Sequence, residues 1–342
     1  MTRKRLFSIG RVLIPLGILS YLVLDLIRAP ASEGGGPTAL EVIRSQPVCY
    51  PGLAAAFGVA LAAFSLTVIR WWMLVRALEI PFSLANAFRL GCLGFLLSFV
   101  SVGAVGGDIF KAFFIARESP GRRVRAVASV VVDRVIGLYA LFVLASAAIL
   151  CAPLADAGPK VQTISGVTLA LTAFGAIALS LALFVGRSDG RLVRFAERTP
   201  RVGEAVISLM ESRALYRRRP GVLVISGVMS LAVHALFAVS LWIAGKAVFA
   251  STPTMGEHLI SVPLSALVGA MPISPAGVGT FELALTLLYP TFSSVEVAAN
   301  QGVIVAFIYR AFTILIAAIG AVYYVTARRE VSETIHAAEA EQ

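Results

Sequence analysis

The sequence predicts an all-α polytopic membrane protein: about six spanning helices plus two oppositely oriented re-entrant helical hairpins, arranged as an inverted-topology repeat. Three observations carry that expectation. Apolar runs are long enough to cross a bilayer, basic residues are confined to the segments between them, and two glycine-rich breaks interrupt otherwise apolar stretches. Of the 342 residues, 58% are hydrophobic and 14% charged, with a mean hydropathy of +0.87. A soluble domain is nearer half apolar. Spanning β-barrels would show alternating segments of about ten residues, and the sequence has none.

The apolar runs lie near Ser8–Ile27, Leu53–Leu78, Leu84–Val105, Val124–Cys151, Val161–Val185, Gly221–Phe249, Leu259–Tyr289 and Val295–Thr326. Most reach the roughly 20 residues that a spanning helix needs. The net charge of +10 would suit a nucleic-acid partner, but the cations sit in short loops, as the positive-inside rule expects. They favour an anionic inner leaflet instead. No CxxC or Cys/His cluster points to a metal or another cofactor.

Taken in order, the first run follows Arg3, Lys4, Arg5 and Arg11, which place the N-terminus in the cytoplasm. Its basic start and Ala-Pro-Ala resemble a signal peptide, but Asp25 and Arg28 crowd the cleavage site, which favours a retained helix. The balanced segment Arg28–Tyr50 goes outside. The second run returns to Arg70, Arg76 and Arg89, with Arg70 expected to snorkel to the interface.

The third run starts inside at Arg89 and is followed by Lys111, Arg117, Arg122, Arg123 and Arg125, which also belong inside. A hairpin that enters and leaves by one face satisfies both ends, and "VGAVGGD" supplies glycines for the turn. Non-helical backbone at membrane depth is tolerated where it is buried or lines a wet cavity. The fourth run goes out and the fifth returns to a segment with nine arginines between Arg187 and Arg219. That segment reads equally as an interfacial amphipathic helix or as a solvated basic loop. The sixth run goes out, and the last ends inside at Arg328 and Arg329. The stretch between them, with "MPISPAGVGTFE" (Met271–Glu282), therefore begins and ends outside as a second hairpin. The organisation is a first helix and outer loop over 1–52, one repeat over 53–152, a connecting helix and basic loop over 153–220, a second repeat over 221–327 and a cytoplasmic tail over 328–342.

Each hairpin places a carboxylate just after its break, Asp108 and Glu282. An arginine follows inside a spanning run: Arg134 is 26 residues after Asp108, and Arg310 is 28 after Glu282. Inverted repeats with broken helices are a transporter architecture. A half-helix starting in the membrane turns its free N–H groups and dipole toward an anion. The candidate substrate-binding residues are accordingly Gly106, Gly107, Asp108, Lys111, Arg117, Arg134, Pro275, Gly277, Gly279, Glu282 and Arg310. Asp108 and Glu282 also fit plain capping roles, and Arg310 fits a structural pair with Glu282. Lys111 and Arg117 fit simple markers of the inner interface. His234 reads as a hydrogen-bonded core histidine before a proton relay, and Trp71, Trp72 and Trp242 as interfacial or packing residues. Cys49 and Cys151 fall on the same outer side, which leaves a disulfide open. The plainer reading of all three cysteines, Cys92 included, is small buried apolar residues.

"GGDIFKAFFIARE", "SVVVDRVIGL", "PISPAGVGTFELAL" and "FIYRAFTIL", in that order, resemble the flippase-like family that forms the membrane region of lysylphosphatidylglycerol synthases and of stand-alone relatives. The resemblance covers nearly the whole chain after the first helix. The family's arginine three residues after Gly-Gly-Asp is replaced by Lys111, which keeps the charge and loses the fork geometry. The resemblance implies lipid movement in a cell inner membrane rather than lysine transfer, because a soluble transfer domain would need hundreds of further residues. The implied substrate is a phospholipid, hopanoid or polyprenyl-linked lipid. Two alternatives stand beside this: a membrane-embedded enzyme acting on a lipid phosphate, and a non-transporting partner of a lipid-modifying enzyme.

Overall fold

The structure is a computed structural model that describes residues 17–24, 47–100, 106–118, 123–154, 157–184, 214–295 and 301–326. Within them the chain is helical, with no strand. We number the helices α1 (Tyr50–Ala77), α2 (Leu84–Val100), α3 (Gly106–Glu118), α4 (Arg123–Cys151), α5 (Pro159–Phe184), α6 (Pro220–Val248), α7 (Met255–Ala270), α8 (Thr280–Phe292) and α9 (Gln301–Thr326). Among the described residues α1, α4, α5, α6 and α9 are long and apolar enough to cross a membrane. The protein is a polytopic all-α membrane protein. Of the first predicted span, 17–24 are helical and the rest lies outside the described residues. So do the predicted break at 101–105, most of the nine-arginine segment and the tail after 326.

Helices α1 and α6 each have a proline in the first turn. They bury the same pattern of positions when one is shifted 170 residues onto the other: Ala56, Ala60, Val68, Trp71 and Leu74 answer to Ser226, Ser230, Ala238, Leu241 and Ala244. Small residues let the two backbones approach, and Ser240 Oγ donates to the Ala56 carbonyl at 2.7 Å. Near the C-terminal end of each, a cation four residues after a tryptophan lies over its ring, Arg76 on Trp72 (5.9 Å) and Lys246 on Trp242 (4.1 Å).

Around this pair the packing is reciprocal. Helix α2 lies against α9, and α7 lies against α4. Each half also has its own apolar core. Phe64, Trp71, Leu74, Leu90, Leu93, Phe114 and Ile115 fill one, and Leu241, Val262, Phe281, Leu285 and Ile304 fill the other.

Glycines set the close approach of helices in both pairs, α2–α3 and α7–α8. In the first, Gly107 touches α2 so closely that a Cβ there would run into the Gly94 carbonyl oxygen. In the second, a single 3-10 turn (Pro275–Gly277) joins α7 to α8. Gly277 has φ +67°, and a Cβ on it would lie 2.6 Å from the Gly269 oxygen. Only glycine tolerates that combination of backbone and contact. The far end of this helix pair is pinned where α7 begins and α8 ends. Thr254 caps α7 with Glu257 in a capping box, and Glu257 Oε1 accepts from the Ser294 N–H at 2.6 Å.

Candidate functional site

Asp108 lies in the first turn of α3, where a carboxylate faces free N–H groups. It is 7% exposed and ion-paired to Arg134 Nε, with Lys111 Nζ at 3.7 Å on the other oxygen. Lys111 also lies over the Trp71 ring, 5.1 Å from its centre. Arg134 is the twelfth residue of α4, about 16 Å along it at 1.5 Å per residue. Hydrocarbon about 30 Å thick puts that near mid-depth.

Glu282 holds the corresponding place in α8 and is fully buried. Its Oε2 accepts from the Gly279 N–H at 2.7 Å, and its Oε1 accepts from Arg310 Nε at 2.5 Å. Arg310 Nη1 donates to the Ala276 carbonyl (3.3 Å) and Nη2 to the Gly277 carbonyl (3.2 Å). Arg310 thus supplies a donor to the Ala276 peptide oxygen in an apolar interior and a second one to that of Gly277, which the Thr280 hydroxyl also reaches at 3.2 Å. Arg310 is the tenth residue of α9, roughly 14 Å along it, so this turn also sits near mid-depth. The hairpins meet there: Arg310 lies 5.8 Å over the Phe99 ring of α2, and α2 touches the Pro275–Gly277 turn.

A cavity of about 260 Å³ opens between the halves. Its polar lining comes mainly from the first: Arg70, Ser98, Asp108, Lys111, Asp133 and Arg134, with His234 from α6. Ala266 and Ala270 of α7 and Tyr309 of α9 complete the wall. Of the predicted residues, Asp108, Lys111 and Arg134 line the cavity. Gly106 and Gly107 start the helix that carries two of them. Arg117 is exposed in the last turn of α3. Glu282 and Arg310 lie off the cavity, on the turn that contains Pro275, Gly277 and Gly279.

Arg70 does not snorkel to the interface as predicted. It is 4% exposed. Its Nε donates to Asp133 Oδ1 at 2.8 Å and its Nη1 to Ser230 Oγ at 2.7 Å, which joins α1, α4 and α6. The sequence reading assigned no site role to Arg70, Asp133 or Ser230. The signal was an arginine inside "SLTVIRWWMLV", several residues short of the end of its run. His234 is a core histidine, its Nε2 3.0 Å from the Gly137 carbonyl, and it also lines the cavity. Trp71 packs inward at 2% exposed. The indole N–H of Trp72 donates to the Phe82 carbonyl at 3.0 Å. Cys49 and Cys151 are free and exposed, against the expectation of burial, and Cys92 is buried.

The family model described as the lysylphosphatidylglycerol synthase TM region matches residues 15–320. The chain belongs to that family. This lysylphosphatidylglycerol synthase TM-region protein is therefore a multi-pass membrane protein related to lipid modification or lipid flipping. No curated protein and no solved structure matches it.

Proposed function

We propose that this family member is a lipid translocator of the cell inner membrane, and not itself an enzyme. A lipid head group enters the cavity while its acyl chains stay in the bilayer. The observation that carries the reading is the cavity: a polar pocket at mid-depth, between two similarly packed halves, in a bundle of apolar helices. Arg70, Lys111 and Arg134 bring three positive charges to it and Asp108 and Asp133 two negative ones, so an anionic phosphate is the complementary guest. The two hairpins are re-entrant from opposite faces, and the halves form an inverted repeat. Rocking of one half against the other, with the α1–α6 pair as the pivot, would expose the cavity alternately to each leaflet. Both termini are cytoplasmic in this arrangement, as the positive-inside count requires.

The test is reconstitution into liposomes carrying head-group-labelled phospholipid, hopanoid or polyprenyl-linked lipid, one class at a time. Movement of one class above protein-free liposomes, reduced in Lys111→Gln, is the expected result. No movement of any class by folded protein would sink the reading. Orientation is checked by membrane-impermeant thiol labelling: native Cys49 and Cys151 react from outside, and a cysteine at Arg89 reacts only from inside.

A further inference from the structure

Arg134 faces two ways. It lines the cavity beside Asp108 and Lys111. Its side chain is also 47% exposed, in the middle of an apolar stripe made by Val127, Val131, Val135 and Leu138, each 38–41% exposed. These positions recur at helical spacing, so they form one face of α4. Among the described residues, the exposed apolar faces of α5 and α9 carry no such charge. That of α5 presents Val167, Leu171, Phe174, Ile177 and Leu181, and that of α9 presents Ile314, Leu315, Ile319 and Val322. A guanidinium turned toward hydrocarbon near mid-depth is costly. Helical side chains lean toward the N-terminus of their helix, so Arg134 reaches back along α4 toward the leaflet that holds Val127.

The second half keeps only part of such a face: Ala311 and Ile314, which correspond to Val135 and Leu138, are exposed, but the charge and the end beside it are closed. Arg310 corresponds to Arg134, but its side chain is 10% exposed and its nitrogens are engaged by Glu282 and the turn carbonyls. Val303, which corresponds to Val127, is fully buried.

We propose that this face of α4 is a one-sided lateral doorway. A phospholipid from the leaflet beside Val127 seats its phosphate on Arg134, and its chains lie along Val127, Val131, Val135 and Leu138. The second half offers no such doorway. The proposal deepens the translocator reading and rests on it for where the lipid goes next.

The test uses the full chain in nanodiscs of phosphatidylethanolamine with labelled phosphatidylglycerol. The photo-crosslinking residue benzoylphenylalanine is placed singly at Val131, Val135 and Leu138, at Ala311 and Ile314 of α9, and at Leu171 and Phe174 of α5. Adducts with phosphatidylglycerol are expected to be several-fold more abundant at the α4 sites. Arg134→Gln should lower them roughly tenfold or more, the effect of losing a hydrogen bond to a charged group, with α5 labelling unchanged. Arg134→Lys should restore part of the loss. Equal labelling on all three faces overturns the doorway, and this comparison needs no change at Arg134. Equal labelling on α4 and α9 overturns its one-sidedness. Preferred α4 labelling without translocation in liposomes would remove the transport reading and keep the doorway. Translocation with uniform labelling would do the reverse.

Discussion

Arg310 uses all three of its nitrogens on the hairpin beside it, one on Glu282 and two on peptide carbonyls. Arg134, at the matching place in α4, gives its Nε to Asp108 and leaves nearly half of its side chain exposed. The two pairs read alike in the sequence, and their surroundings separate them. One is sealed in the protein and closes a strained turn that includes Ala276 at φ 48°. The other stands between a cavity and the outer surface, with Lys111 sharing its carboxylate. Around it the first half adds the Arg70–Asp133 pair. The positions that correspond in the second half, Ser240 and Tyr309, carry no charge. The charged lining of the cavity thus comes from the first half, and the second contributes uncharged side chains to it.

The largest expected effect breaks the sealed pair. Arg310→Gln leaves Glu282 charged and buried, at a cost of about 3–5 kcal/mol. Little folded protein should be recovered by fluorescence-detected size exclusion. Adding Glu282→Gln should restore much of the yield but not all, since the Ala276 carbonyl still loses its donor and the Gly277 carbonyl keeps only the Thr280 hydroxyl. Full recovery would mean that the ion pair, and not the turn, is what Arg310 serves.

Arg70→Gln tests whether the extra pair of the first half is structural in the same way. It strands Asp133 between helices and is expected to cost about 3 kcal/mol, read as a lowered melting temperature. Arg70→Gln with Asp133→Asn should melt closer to wild type. Additive losses in the double variant would show that the two side chains do not act as a pair.

Gly277→Ala meets both a positive φ and the Gly269 backbone, and should cost about 1–3 kcal/mol. Gly107→Ala should cost a similar amount by contact with Gly94 alone. A tolerated Gly107→Ala would show that the first hairpin is the looser of the two.

The smallest expected change in stability is at Arg134. Arg134→Gln leaves Asp108 with Lys111 at 3.7 Å and removes a guanidinium that is costly beside hydrocarbon, so it should lower stability less than Arg310→Gln does, while lipid translocation in proteoliposomes falls sharply. A variant that melts far below wild type would place Arg134 with Arg310 as a structural residue and erase the contrast.

Much of this architecture was legible in the chain because it is local. Length and apolarity mark the spanning helices, since a bilayer sets one length for all of them. The Pro/Gly cluster marks the break between α7 and α8, where Gly277 and Gly279 take positive φ that few other residues adopt. The carboxylate and arginine of each half could be matched because they lie at nearly equal spacing on consecutive elements. Arg70 escaped because its partners are 63 and 160 residues away. An arginine near a helix end reads as an interface residue until the fold brings Asp133 and Ser230 to it. The difference between Arg134 and Arg310 was equally hidden. Burial belongs to the neighbours of a side chain and not to the side chain itself. The packing around α9 buries Val303 and Arg310 together, while Val127 and Arg134 at the matching positions of α4 stay open. The sequence by itself determined which residues carry charge into the membrane. The tertiary structure alone decided which of those charges close a turn and which line the cavity, because that depends on the neighbours the fold brings to them.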